Sequence, residues 1–123
     1  MKILIIDDEA DIRKIARLSL VRVGGLEVVE AGSGAEGVRT AEAERPDAIL
    51  LDVMMPGIDG PATLALLRAG ESTSKIPVLF LTAKAMSTEI DRLKALGAVA
   101  VLTKPFDPMT LPAEVKAALE RPR

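Results

Sequence analysis

The sequence predicts an α/β fold: a parallel sheet with helices on both faces. Short, unbroken aliphatic runs alternate along the chain with longer segments whose apolar residues recur at helical spacing. The aliphatic runs do not alternate with polar residues, which is the pattern of strands buried on both faces. No long linker, low-complexity tract or internal repeat separates the units.

Ile3 to Ile6 is a short aliphatic run and reads as the first strand. From Glu9 to about Val23, Ile12, Ile15, Ala16, Leu18 and Leu20 suit a helix, and Gly24-Gly25 ends it. "LEVVEA" reads as the second strand. Ser33 followed by Glu36 is a capping-box pattern opening a helix to about Glu44. "AILLD" is the third strand, ending on Asp52, and "MMPGIDG" is a loop before a helix from about Pro61 to Ala69. "IPVLFLT" is the fourth strand, followed by a helix from about Ser87 to Leu96 that Gly97 stops. "AVAVLTK" is the fifth strand and "DPMTLPAEVKAALE" the last helix. That helix starts either at an Asp107 cap with Pro108 in its first turn, or at Thr110.

With 123 residues, the chain fits one domain spanning 1–123. Hydrophobic residues make up 49%, enough for a real core. A formal net charge of −2 gives no broad basic field for nucleic acid. Cysteine and histidine are both absent, so thiol chemistry, thiolate metal sites and the commonest general base are excluded. No apolar stretch approaches the ~20 residues of a membrane span, and the N-terminus lacks a signal-peptide pattern, so a cytoplasmic location is expected.

Polar residues fall at one end of the strands. Asp7-Asp8 follow the first, Asp52 ends the third, Thr82 the fourth and Lys104 the fifth. In open parallel sheets, ligands bind at the carboxyl ends of the strands, so these groups should converge. Clustered carboxylates repel unless a cation joins them or one is protonated. Mg²⁺ suits such a site, since it takes one or two carboxylates, keeps waters and completes its shell with phosphate oxygens. A carboxylate facing the metal could attack phosphorus. Other readings of single residues are plainer. Asp8 could cap the first helix, Thr82 could cap a later one, and Asp52 could start a turn. Met54 and Met55 read as packing residues and Phe80 as core.

Four stretches together carry a resemblance: "ILIIDDEADIR", "PDAILLDVMMPGIDG", "IPVLFLTAK" and "GAVAVLTKPFDP". Over essentially its whole length the chain resembles a receiver domain of the two-component response regulators. The resemblance implies a flavodoxin-like (βα)5 doubly wound parallel sheet with strand order 2-1-3-4-5. It implies that Asp52 accepts a phosphoryl group and that Asp7, Asp8, Asp52 and the Met54 carbonyl hold Mg²⁺. It also implies that Thr82 is a switch hydroxyl, that Lys104 pairs with the phosphoryl group, and that the Lys104–Pro105 bond is cis. The implied donor is a sensor histidine kinase or a histidine phosphotransfer protein, and the implied output is contact with a downstream protein. Such a chain is a signalling phospho-acceptor rather than a turnover enzyme, with no direct role for nucleic acid or membrane.

Two departures matter. Where the family usually has Tyr or Phe three residues before the lysine, this chain has Val101, which is smaller and stiff at χ1. The usual aromatic readout is therefore absent, and the signal must pass through the Thr82–Lys84 loop or the helix after it. Met54 and Lys84 stand where the family tunes phosphoryl lifetime, and neither is a water-orienting acid or amide, which favours a longer-lived phosphoaspartate. "ERPR" is followed by no output domain, so the sequence leaves open a stand-alone receiver or a piece of a larger regulator. A flavin or nucleotide binder would need a Gly/Ser/Thr-rich loop where "DDEAD" stands. A phosphatase of the haloacid dehalogenase type would separate its two aspartates by one residue. A degenerate, interaction-only receiver would lack part of the set Asp7, Asp8, Asp52, Thr82 and Lys104.

Overall fold

The computed structural model describes residues 1–84 and 86–120. Five strands form one parallel sheet in the order β2-β1-β3-β4-β5. They are β1 (Lys2–Ile6), β2 (Glu27–Ala31), β3 (Ala48–Asp52), β4 (Val78–Thr82) and β5 (Ala100–Thr103). The helices are α1 (Ala10–Leu18), α2 (Gly34–Glu44), α3 (Gly60–Ala69), α4 (Ser87–Ala95) and α5 (Leu111–Glu120). The strand order expected from the resemblance is the one found.

Alternation along each strand divides the core into two layers. Ile3, Ile5, Leu50, Leu79 and Leu81 point to the side covered by α1 and α5, where Ala16, Leu20, Leu111 and Val115 meet them. Leu4, Ile6, Ile49, Leu51 and Phe80 point to the side covered by α2, α3 and α4, against Ala41, Leu64, Leu67 and Leu93. Every residue of β3 and β4 is buried, which explains why those runs contain no alternating polar positions. Phe80 is core, as expected. Val101 lies across the ladder from Phe80 and packs against the α2–α4 layer.

Three local features refine the sequence reading. The first helix does reach Val23, but its last five residues, Ser19–Val23, wind as a π-helix. This wider end is tied down from outside. The Ser19 hydroxyl donates to the Pro108 carbonyl, and the Lys116 ammonium donates to the Gly24 carbonyl at 3.0 Å. A Cβ on Gly24 would come within 2.8 Å of the Pro112 ring, so that glycine permits the contact.

The capping box expected at Ser33 forms in its first half, and its return bond reaches one residue further back than the N-cap. Ser33 Oγ accepts from the Glu36 N–H at 3.1 Å, and the Glu36 carboxylate accepts from the Gly32 N–H. Between the two starts offered for the last helix, the later one is found. Asp107 instead closes a turn, accepting the Met109 N–H on Oδ1 at 2.9 Å and the Leu111 N–H on its carbonyl at 2.9 Å. Pro112 then sits in the first turn of α5, where its missing N–H leaves no bond unmade. Among the described residues no helix is long and apolar enough to cross a membrane.

Candidate functional site

The carboxyl edge of the sheet gathers the charged residues. Asp7 follows β1 directly and its N–H donates to the Ala31 carbonyl at 3.2 Å, which extends the β1–β2 ladder by one rung. Asp52 closes β3. Lys104 follows β5, with its N–H on the Thr82 carbonyl at 2.7 Å and a cis bond to Pro105. The Lys104 Nζ lies 3.1 Å from Asp7 Oδ2, 3.1 Å from Asp52 Oδ1 and 3.7 Å from Glu9 Oε1. Asp7, Asp8 and Asp52 each offer a carboxylate oxygen, and these atoms lie within 4.8 Å of one another.

One ammonium does not balance this cluster. Asp7 and Asp52 are 1% and 4% exposed, so water screens their mutual repulsion poorly. Burial first, and then the charge of Asp7, push the Asp52 carboxyl up to about 6, against the opposing pull of Lys104. Burial alone would lower the Lys104 ammonium, but the carboxylates of Asp7 and Asp52 outweigh it and raise it.

The Asp7 carboxylate divides its labour. Oδ1 accepts the Glu9 N–H at 2.9 Å, fixing the turn into α1. Oδ2 is fully buried, and its contact among the described residues is the ion pair with the Lys104 ammonium at 3.1 Å. One ammonium is thus shared between Oδ2 of Asp7 and Oδ1 of Asp52, which leaves the acceptors unmatched in number. A hard divalent cation bound through oxygens would remove both the unmatched acceptor and the repulsion, so the donor set fits Mg²⁺ chemistry.

The remaining sequence candidates fall as follows. Asp8 is exposed and does not cap α1, whose N-cap is Glu9 with no side-chain cap bond. Thr82 is 2% exposed and is not a cap for α4, which begins after Met86. Its Oγ1 accepts the Lys84 N–H at 3.0 Å, which leaves the hydroxyl proton to donate elsewhere. The ladder sets Asp52 opposite Leu81 and Thr82 opposite Thr103, so Thr82 sits at the same edge, one strand over from Asp52. Met55 is buried in the α2–α4 layer, as a packing residue should be. Met54 is not: its side chain is 68% exposed, a correction to the packing expectation. The loop explains it, because the Gly60 N–H closes on the Val53 carbonyl at 2.8 Å and the Met54 side chain is turned outward.

Two participants escaped the sequence reading. Glu9 approaches Lys104, and Arg13 donates from Nη1 to the Asp7 carbonyl at 2.7 Å. Both read in the sequence as ordinary polar positions near the start of an amphipathic helix. Only the folded turn shows where their long side chains reach.

This sheet order, with acidic residues crowded at its carboxyl edge, defines a flavodoxin-like domain built to manage negative charge. Residues 3–116 match the model of the response regulator receiver domain, and the chain belongs to that family. Over 122 residues it is 42% identical to the alkaline phosphatase synthesis transcriptional regulatory protein PhoP of Bacillus subtilis, covering 98% of this chain and 49% of that protein. It is 41% identical to the transcriptional regulatory protein PrrA of Mycobacterium tuberculosis, covering 98% and 50%. The chain thus spans about half the length of these curated relatives. Among solved structures, the chemotaxis response regulator CheY4 of Vibrio cholerae superposes with a TM-score of 0.87 at 32% identity, covering 95% of this chain and 97% of that one. A putative response regulator from Chloroflexus aurantiacus also reaches 0.87, at 36% identity and 98% coverage of both chains.

Proposed function

We propose that Asp52 accepts a phosphoryl group from a phosphohistidine on a partner kinase or phosphotransfer protein. The observation that carries this reading is the buried Asp52 carboxylate, set against Asp7 and Asp8 with a single ammonium at 3.1 Å. In the transfer an Asp52 oxygen forms a bond to phosphorus as the phosphorus–nitrogen bond breaks. The bonding electron pair leaves with the imidazole of the donor, and the product is an acyl phosphate on Asp52. Water later cleaves that phosphate, so the chain is a phospho-acceptor that resets itself.

Mg²⁺ would be held by Asp7, Asp8, Asp52 and the Met54 carbonyl, and when bound it supplies neutralising charge for the phosphoryl oxygens. Lys104 places its ammonium beside the carboxylate that reacts. Thr82 has a free hydroxyl proton with which to bond the phosphoryl group, and a turn of its side chain toward that group would carry Oγ1 away from the Lys84 N–H it now accepts. That exchange would move the Thr82–Lys84 loop and change the surface a downstream protein meets. The exposed Met54 and Lys84 at the mouth of the site offer no carboxylate or amide to orient water, which favours a long-lived acyl phosphate.

The test is intact-protein mass after incubation with acetyl phosphate, with and without Mg²⁺, beside Asp52→Asn. The expected result is one added phosphoryl group that requires both Mg²⁺ and Asp52. No addition, together with no Mg²⁺-dependent binding of beryllium fluoride, would reject the reading.

A further inference from the structure

We propose that Arg13 is a positioning residue for the Asp7–Asp8 pair, anchored in turn by Glu30; the inference rests on the reading of that pair as Mg²⁺ ligands. Asp8 poses the question. It is exposed, it does not cap α1, and yet its carboxylate stays near those of Asp7 and Asp52. Its direction is therefore set by its backbone, above all by the peptide that joins it to Asp7.

The carbonyl of that peptide should have been held by the sheet. In the β1–β2 register, Ile6 pairs with Ala31 and the Asp7 N–H meets the Ala31 carbonyl. One more parallel rung would bring the Ser33 N–H to the Asp7 carbonyl. The chain turns away at Gly32 to enter α2, and Ser33 becomes its N-cap. The rung is filled instead by a side chain on the β2 side, with Arg13 Nη1 beside Gly32 and 2.7 Å from the Asp7 carbonyl. The same guanidinium sends Nε to Glu30 Oε1 at 3.2 Å, and Arg17 Nη1 takes Glu30 Oε2 at 2.9 Å. Arg13 and Glu30 are both half-buried, so the pair is better shielded than a surface ion pair. A planar fork suits this task, because it reaches a carbonyl and a carboxylate at once in fixed directions.

Charge alone makes the opposite prediction. A guanidinium near a cation site repels the cation, so removing it should tighten Mg²⁺ binding. Removing a positioning group should weaken binding, by about tenfold for a group that orients metal ligands. The experiment is isothermal titration of MgCl2 into the full chain for wild type, Arg13→Met and Arg13→Lys, with melting in EDTA as the control for folding. The expected result is a Kd raised about tenfold in Arg13→Met. A smaller rise is expected in Arg13→Lys, whose single ammonium cannot serve both partners. Glu30→Gln should raise the Kd in wild type but not in the Arg13→Met background, where its route to the site is already cut. An unchanged or lower Kd in Arg13→Met, with wild type binding normally, would overturn the inference and leave the Mg²⁺ reading standing. If Arg13→Met does not fold, an unchanged Kd in Arg13→Lys decides the same way. Absence of Mg²⁺ binding by wild type would overturn both.

Discussion

Replacing Asp52 by asparagine should stabilise the metal-free protein. The residue is 4% exposed, with carboxylates of Asp7 and Asp8 offering oxygens within 4.8 Å. At an effective dielectric of about 20, two unit charges at that separation repel by about 3.5 kcal/mol. The upward displacement of the carboxyl from 3.8 to about 6, which already includes the opposing pull of Lys104, corresponds to about 3 kcal/mol. That figure is a ceiling, since the new amide must also find partners. The sign follows from proton binding. The folded state holds a proton that the unfolded chain has released between pH 3.8 and about 6, so wild type loses stability as pH rises through that window. Asparagine carries no such dependence. Below pH ~4 the two proteins should differ little on this account, and above pH ~7 the variant should be ahead by its full margin. At this chain length of 123 residues that ceiling corresponds to roughly 12 °C in Tm. The assay is thermal unfolding followed by circular dichroism in EDTA across that pH range, which suits a chain with no tryptophan or tyrosine. Adding Mg²⁺ at 100 times its Kd should then stabilise wild type by about 2.7 kcal/mol and the variant by much less. A variant that melts at or below wild type at pH 7.5 without metal would refute the claim that the site is held in electrostatic conflict.

Two further substitutions test how the scaffold holds the site. Gly60→Ala would place a Cβ 2.5 Å from the Asp52 carbonyl oxygen and 2.8 Å from the Val53 Cα, both backbone atoms that cannot yield cheaply. A loss of about 1–3 kcal/mol by urea denaturation is expected, together with weaker Mg²⁺ binding. Ser33→Ala removes the acceptor for the Glu36 N–H at the start of α2 and should cost ~1 kcal/mol in the same assay, with the Mg²⁺ affinity unchanged.

What could be read in the sequence was what the strands impose. "AILLD" announces a buried strand whose last residue must be polar for a reason, and "KILIIDD" does the same, so the residues at the sheet edge were legible before any folding. Side chains that act at a distance were not. Arg13 reaches back six residues to a carbonyl and across to a carboxylate on β2, and nothing in a helical pattern specifies either target. Met54 and Met55 look alike in sequence, but the Gly60–Val53 bond of the loop buries one and exposes the other. Arg45 ends α2 in the left-handed region, at φ 46°, where glycine or asparagine is the usual signal, so only the Pro46 that follows marks the stop in the sequence. The π winding of Ser19–Val23 was hidden because a segment of five residues, "SLVRV", is too short for its apolar spacing to distinguish the two pitches.

That winding constrains how the chain can change length. A π turn accommodates an additional residue within a helix, and here the segment is fastened on both sides: Ser19 to the Pro108 carbonyl, Gly24 against Pro112 and Lys116. Deleting one residue between Ser19 and Gly24 would restore ordinary helical pitch and favourable local geometry. It would also rotate Gly24 by about a hundred degrees, away from the proline it fits. One fastening rests on the loop between Lys104 and α5 and the other on the first turns of α5 itself, so a change of length here would disturb both. A change of length in this stretch should therefore cost more than a substitution at its exposed residues Val21, Arg22 and Val23.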